Sequence, residues 1–342
     1  MKIREIIISL SLLLLSSLAC QEKNPWEEVE KQVLVPDSKI QTAYDSIPLR
    51  HVSGILIHDQ SVFVSDHTNM RVLELDRALS LKRVLARSGK GPCEVLFPAS
   101  LIMRDQALFL FDHGNKRFLR MDLDKMDCNS FPFKGKISTD YDFLGKSLVL
   151  SAMSQETPLF IFDLESLEEK GFGHMKEAPI KSKNVFYNNR HVAVNSQGTI
   201  FALPEGIPLI EVYDAKGKLQ QELDISAIPP IASRFQFAKT DAASPTHNEN
   251  TIYVLYGVAI ERKDKLYLLA PDNFGPEDGD VKNNTILVFD ISTSTPVWEK
   301  WYELDSQSPE ASHWYIAFDI MDGELLAYEG VEGEFHYFSL GQ

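Results

Sequence analysis

The chain has 342 residues, 44% of them hydrophobic and 24% charged, with a formal net charge of −15. This composition is globular rather than disordered, and the length fits two ordinary domains or one large all-β domain. The acidic balance excludes broad contact with phosphate backbones or anionic lipid, which need clustered Lys and Arg, so nucleic acid is not an expected partner.

At the N-terminus, Lys2 and Arg4 precede an apolar run at 6–15. The run is shorter than the roughly 20 residues that span a bilayer and reads as a secretion signal. Residues 1–19 carry a net charge of +1 from Lys2, Arg4 and Glu5, so their removal leaves −16. The segment closes on Ser16-Ser17-Leu18-Ala19-Cys20. This resembles a bacterial lipoprotein signal, in which the cysteine after a small residue is lipidated and becomes the mature N-terminus; Leu18 stands one place later than in the usual pattern. The resemblance implies lipid attachment at Cys20, residues 20–30 as a tether, and membrane contact through that lipid alone. It also implies export across the inner membrane and anchoring in the envelope, at the outer membrane. An ordinary signal peptide with an incidental cysteine is the alternative. Only Cys93 and Cys128 remain beyond Cys20. They allow one bridge without demanding it, and no C-x-x-C or His/Cys spacing suits a structural metal.

Farther along, residues 62–76 read Val-Phe-Val-Ser-Asp-His-Thr-Asn-Met-Arg-Val-Leu-Glu-Leu-Asp, and a near-copy occupies 108–122. The shared Asp-His-x-Asn-x-Arg recurs after 46 residues, at 66–71 and 112–117. Self-similarity at this period marks a blade-by-blade array. Short alternating runs between turn residues then give strands in sets. Blade one takes 52–58, 61–65, 71–76 and 81–86; blade two 100–104, 107–111, 117–122 and 130–133. Blade three takes 141–144, 147–151, 159–163 and 168–172, and blade four 191–195, 199–203, 209–214 and 219–223. Blade five takes 258–261, 265–270, 285–290 and 297–304; blade six has only 315–320, 324–328 and 334–340. An aspartate closes the third strand at 76, 122, 163, 214 and 290, whereas the sixth copy has Phe338. No stretch shows sustained helical periodicity. The expectation is an all-β fold over 31–342, a six-bladed β-propeller of four-stranded antiparallel blades. The strand missing from the last blade is expected from 31–35, paired beside 334–340, which closes the ring and removes free edges.

The blade text carries a resemblance. Asp66, Asn69, Arg71 and the closing Asp76 are similar to the repeat of NHL-type propellers, related to TolB-like ones. Ser88-Gly-Lys-Gly-Pro-Cys-Glu94, followed by Phe97-Pro98, resembles the Gly-Lys-Gly-Pro-Gly-Glu-Phe signature of six-bladed propeller lipoproteins of Bacteroidetes, with Cys93 in place of a glycine and Val95-Leu96 inserted. The resemblance implies a cell-envelope propeller from a group whose members mostly lack an assigned activity.

In an antiparallel blade the turns sort onto two faces. The connections from first to second and third to fourth strand are tight. The long segments, 174–190, 226–253, 271–284 and 305–314, share the other face with the second-to-third turns, and insertions gathered on one face of a rigid scaffold point to function there. Asp66, His67, Asp112 and His113 lie on that face. They offer a polar ring for a cation or proton, or else plain turn connectors paired with the following Arg. Lys90, within Gly89-Lys90-Gly91-Pro92, suggests an anion cradle or a structural turn; the P-loop spacing is absent. The acidic run 271–280 offers oxygen ligands for Ca²⁺ without EF-hand order, or else is solvated charge, and no cofactor is expected. Phe186, Tyr187, Phe235, Phe237, Tyr253, Tyr256, His313 and Trp314 lie in or beside the inserts. They are placed to stack on sugars, anchor a peptide or fold the inserts back. No nucleophile elbow or H-E-x-x-H helix is present. The expected function is therefore binding or scaffolding, with a glycan, peptide or envelope protein as partner. The alternative is a metal-dependent hydrolase or lyase with its site at the channel mouth.

Overall fold

A computed structural model describes residues 29–41, 43–44, 46–134, 137–153, 156–178, 184–244, 251–272, 282–305 and 314–341. The repeats fold as six antiparallel blades in a ring, a β-propeller. Their innermost strands, Val52–His58, Pro98–Arg104, Ile137–Leu144, Arg190–Val194, Val258–Arg262 and Tyr315–Met321, pack in ring order around a central channel. The middle strands are sandwiched on both sides. Ser61–Asp66 and Arg71–Leu75 are buried at every position, which is why they read as near-continuous apolar runs. The core is divided among the blade interfaces. Val64, Leu73, Leu326 and Tyr328 lie between blades six and one, and Leu203, Ile210, Leu268 and Phe289 between blades four and five. Each fully buried side chain of this size contributes about 1.5–3 kcal/mol.

Each repeated residue has a local task. The first-to-second turns are two-residue hairpins in which Asp105 and Gln106, or Lys263 and Asp264, take positive φ, the conformation that matches strand twist. The closing aspartates cap the third-to-fourth turns: Asp76 accepts from the Ser80 amide at 2.8 Å, Asp163 from the Ser166 amide at 2.7 Å and Asp214 from the Lys218 amide at 2.9 Å. Backbone N–H donors, first among them the amides of Lys125, Ser166 and Lys218, hold the Asp122, Asp163 and Asp214 carboxyls below their ordinary range. The sixth copy has Phe338 in place of the aspartate: its partner strand Ser38–Gln41 comes from the N-terminal part of the chain, so no hairpin turn joins the two and none needs a cap.

Ring closure differs from the expectation in its strand. Ser38–Gln41, not 31–35, pairs antiparallel beside Glu334–Ser339, with Ser38 opposite Tyr337 and Gln41 opposite Glu334. Lys31–Leu34 instead runs parallel to Val297–Leu304 as a fifth strand of blade five. The apolar run was the wrong guide, because an outermost strand is held mainly by backbone hydrogen bonds. Of Ser38–Gln41 only Ile40 is half-buried, against the core between blades six and one.

A helix also forms in one of the inserts, although no periodicity in the sequence marked it. Pro229–Ala242 is a 14-residue helix with Pro at its first positions, where the missing N–H is no loss. It buries about one residue per turn (Pro230, Ile231, Arg234 and Ala238), and one of these is an arginine. A stripe that narrow leaves weak apolar periodicity. The helix sits in the 226–253 insert, while the 174–190 insert holds the single turn Asn184–Tyr187. Cys93 and Cys128 form a disulfide with a Cα–Cα distance of 5.4 Å, tying the link between blades one and two to the outer strand of blade two.

Candidate functional site

The repeated Asp-His-x-Asn-x-Arg turn is a staple. Asp66 is fully buried and accepts from Arg71 Nε at 2.8 Å and from Asn69 Nδ2 at 2.8 Å. Arg71 also donates to the carbonyls of Tyr44 and Ile47, each at 3.0 Å. Blade two repeats the arrangement: Asp112 accepts from Arg117 at 3.2 Å, and Arg117 donates to Gly91 and Glu94 carbonyls at 2.7 Å. Both aspartates are thus engaged in joining a turn to the preceding interblade link. Lys90 is exposed on that link, but the space beside Gly89 and Gly91 is filled by the Glu94 carboxylate, which accepts from the Gly91 amide at 2.7 Å.

The histidines stand one residue beyond the staple, at the rim. His67 donates through Nδ1 to the Pro98 carbonyl at 3.1 Å. Its ring lies 5.3 Å from His51, 5.3 Å from Phe97 and 6.4 Å from His113, centroid to centroid. Burial and then the charge of His67 push the His51 and His113 imidazoles below their ordinary value, so they are neutral at pH 7.

The remaining candidates divide. Tyr187 is buried, with its hydroxyl accepting from the Tyr253 amide at 3.3 Å. Phe235 packs partly buried against the core between blades four and five, with Lys239 Nζ 4.1 Å from its ring centroid. Tyr256 is buried and donates to the Pro204 carbonyl at 2.6 Å. Trp314 is half-buried at the rim of blade six, its amide donating to Glu329 at 3.0 Å. His313 and most of the acidic run 271–280 lie outside the described residues, as does Cys20.

The channel encloses about 750 Å³, and its polar lining contains residues that no motif had marked. On the long-insert face His191 and Asp140 face one another across the seam between blades four and three, with His191 Nδ1 2.5 Å from Asp140 Oδ2. His191 Nε2 lies 3.3 Å from the Tyr256 carbonyl and 3.8 Å from Glu205. Burial opposes a charge on this imidazole, yet the Asp140 hydrogen bond and charge, with help from Glu205, raise it to about 9. Burial lifts the Glu205 carboxyl above its usual range. Deeper in the channel, Asp142 accepts from the Val194 amide at 2.7 Å and bridges blades three and four. Asp319 accepts from the Ile57 amide at 2.6 Å and bridges blades six and one. The two bridges differ in charge balance. Arg262 sits 2.7 Å from Asp319, whereas Asp142 faces Glu261 and Asp140, and burial together with those charges pushes it up to about 7. Among the described residues no three His, Cys, Asp or Glu side chains converge as a metal site.

Asp140 and His191 are 51 positions apart and come together only because neighbouring inner strands begin side by side. The one signal in the sequence was a charged or imidazole side chain near the start of an otherwise apolar inner strand.

No protein-family model matches this chain, and no curated protein matches it in sequence. Solved structures do match in fold. A Bacteroides fragilis protein described as exported is 12% identical, covering 87% of this chain and 88% of its own, with a TM-score of 0.55. A protein of unknown function from Bacteroides thetaiotaomicron is 10% identical, covering 89% and 73%, with a TM-score of 0.56. A catalytically inactive histidine-to-alanine variant of virginiamycin B lyase from Staphylococcus aureus, determined with quinupristin, is 9% identical, covering 89% and 99%, with a TM-score of 0.53. At these identities the likeness is one of fold. The chain is a six-bladed β-propeller with a polar channel mouth on its long-insert face.

Proposed function

We propose that this chain is an envelope-anchored binding propeller that holds a glycan, peptide or protein segment at the channel mouth on its long-insert face. The observation that carries the reading is the Asp140–His191–Glu205 group at that mouth. It places two carboxylates and an imidazole at the end of an open channel, on the face where the inserts gather. Convergent polar groups in a concave site are what orient a ligand. Lipid at Cys20, with residues 20–30 as a tether, would present this face to the periplasm or cell exterior from the outer membrane. The NHL-like staples in blades one and two, and the fold shared with an exported Bacteroides protein, agree with that placement.

Binding is tested by arraying the purified full chain against oligosaccharides and peptides, with Asp140→Asn and His191→Gln alongside. The expected result is a retained ligand whose affinity drops at least ~10-fold in both variants. A ligand held equally by wild type and both variants would place binding elsewhere. For the anchor, Cys20→Ala should move the protein from the membrane fraction to the soluble one; unchanged fractionation rejects the lipid.

A second reading has its own observation. An imidazolium clamped by one carboxylate and near another is the equipment of a general acid, and one protein of similar fold is a lyase inactivated by loss of a histidine. A hydrolase or lyase at the same mouth would lose turnover, not just affinity, in His191→Gln.

A further inference from the structure

The blades are copies, so equivalent positions can be compared around the rim. One backbone hydrogen bond marks the same place in four of them. The His67 amide donates to the His51 carbonyl at 2.8 Å, and the His113 amide to Phe97 at 3.3 Å. The Glu205 amide donates to Asn189 at 2.8 Å, and the Gly330 amide to Trp314 at 2.8 Å. His51, Phe97, Asn189 and Trp314 therefore hold one position, just before the inner strand of blades one, two, four and six.

Their chemistry is not evenly distributed. Blades six, one and two are neighbours in the ring, and each carries a ring side chain there: Trp314, His51 and Phe97. Across the mouth, blades three and four supply Asp140, His191 and Glu205. The rim is two-sided: on the arc with the rings the carboxylates Asp66, Asp112 and Glu329 are fully buried, and the other arc presents Asp140 and Glu205. The arc is accessible: His51 is exposed and borders the channel, and Phe97 is 41% exposed. Phe97 also has a φ of 59°, a left-handed conformation that is unfavourable for a bulky residue and gathers at functional positions. Behind it, His67 Nδ1 is fixed as a donor by the Pro98 carbonyl.

Resting on the reading that the ligand sits at this mouth, we infer that it is a neutral glycan, with a sugar ring stacked on the arc of Trp314, His51 and Phe97 and its hydroxyls donating to Asp140 and Glu205. A pyranose has one face of C–H bonds that suits the negative face of an aromatic ring, and an edge of hydroxyls that suits carboxylate acceptors. The His51 imidazole is uncharged at neutral pH and the chain is acidic overall, which weighs against an anionic ligand on this arc. A peptide uses the stacking arc only where aromatic side chains happen to fall.

The test uses the full chain against an array of neutral oligosaccharides (glucans, xylans, mannans and chitin fragments) and an array of peptides. The variants are Phe97→Gly, His51→Ala and Asp140→Asn. Glycine accepts the left-handed backbone, so Phe97→Gly removes the ring while relaxing the turn, and its melting temperature should equal or exceed that of wild type. The inference expects a neutral oligosaccharide to be retained by wild type and weakened at least ~10-fold by each variant. Retention that Phe97→Gly and His51→Ala leave intact but Asp140→Asn abolishes overturns the stacking arc and keeps the mouth as the site. Binding of peptides alone, lost in Asp140→Asn, overturns the glycan and keeps the mouth. Binding of neither class overturns both.

Discussion

An ordinary histidine loses its proton near pH 6.5; His191 should keep it to about 9. The imidazole is almost wholly buried, which disfavours the charge, but Asp140 at 2.5 Å and Glu205 at 3.8 Å more than offset that burial. Raising the value from 6.5 to about 9 corresponds to about 3 kcal/mol of folding stability. Because the folded value lies above the unfolded one, this contribution is fully present below pH 6.5 and disappears as the pH rises toward 9. Asp142, raised from 3.8 to about 7, acts in the same direction at lower pH. It is common to wild type and a His191→Gln variant, so most of its effect cancels when they are compared. The assay is twofold. The ring Cε1–H resonance of His191, identified by its loss in His191→Gln, is followed through the titration, and both proteins are unfolded in urea near pH ~6 and near pH ~9.5, on either side of the window. The resonance should titrate close to 9, and wild type should lose about 3 kcal/mol relative to the variant between the two conditions. A midpoint at or below about 6.5, or parallel stability curves, would refute the reasoning.

Arg190 and Glu211 form a wholly buried pair at 2.9 Å, and Arg190 also donates to the His174 carbonyl at 2.9 Å, so it secures the insert between blades three and four. Arg190→Ala leaves the buried Glu211 charge to the more distant Lys176 at 3.7 Å and should lower the unfolding free energy by about 3–5 kcal/mol in urea titration; a loss under about 1 kcal/mol counts against this role. The Cys93–Cys128 bridge closes a separation of 35 residues, for which loop entropy gives about 4 kcal/mol. Reduction with dithiothreitol should lower the melting temperature to that of a Cys93→Ser/Cys128→Ser double variant, and identical melting with and without reductant would show that the bridge does not form.

Much of the architecture was legible because a propeller repeats its local chemistry. The hairpin turns, the closing aspartates and the Asp-x-x-Asn-x-Arg staple each satisfy nearby backbone groups, so each leaves a local signature. Phe338 belongs to the same logic, since no hairpin turn joins that strand to its neighbour Ser38–Gln41. Elements that depend on remote partners were misread. Lys31–Leu34 had the more apolar sequence, but Ser38–Gln41 fits the edge of blade six, and an edge is chosen by backbone geometry. The helix Pro229–Ala242 left only a proline start as its mark.

The sequence by itself determined the all-β repeat, the number of blades and the face on which long inserts gather, because turn chemistry and strand alternation act over a few residues. Tertiary structure alone decided the composition of the mouth. Asp140, His191 and Glu205 come from separate strands and turns, and Trp314, His51 and Phe97 from three different interblade links. They come to one end of the ring only when it closes, and no spacing along the chain encodes that placement.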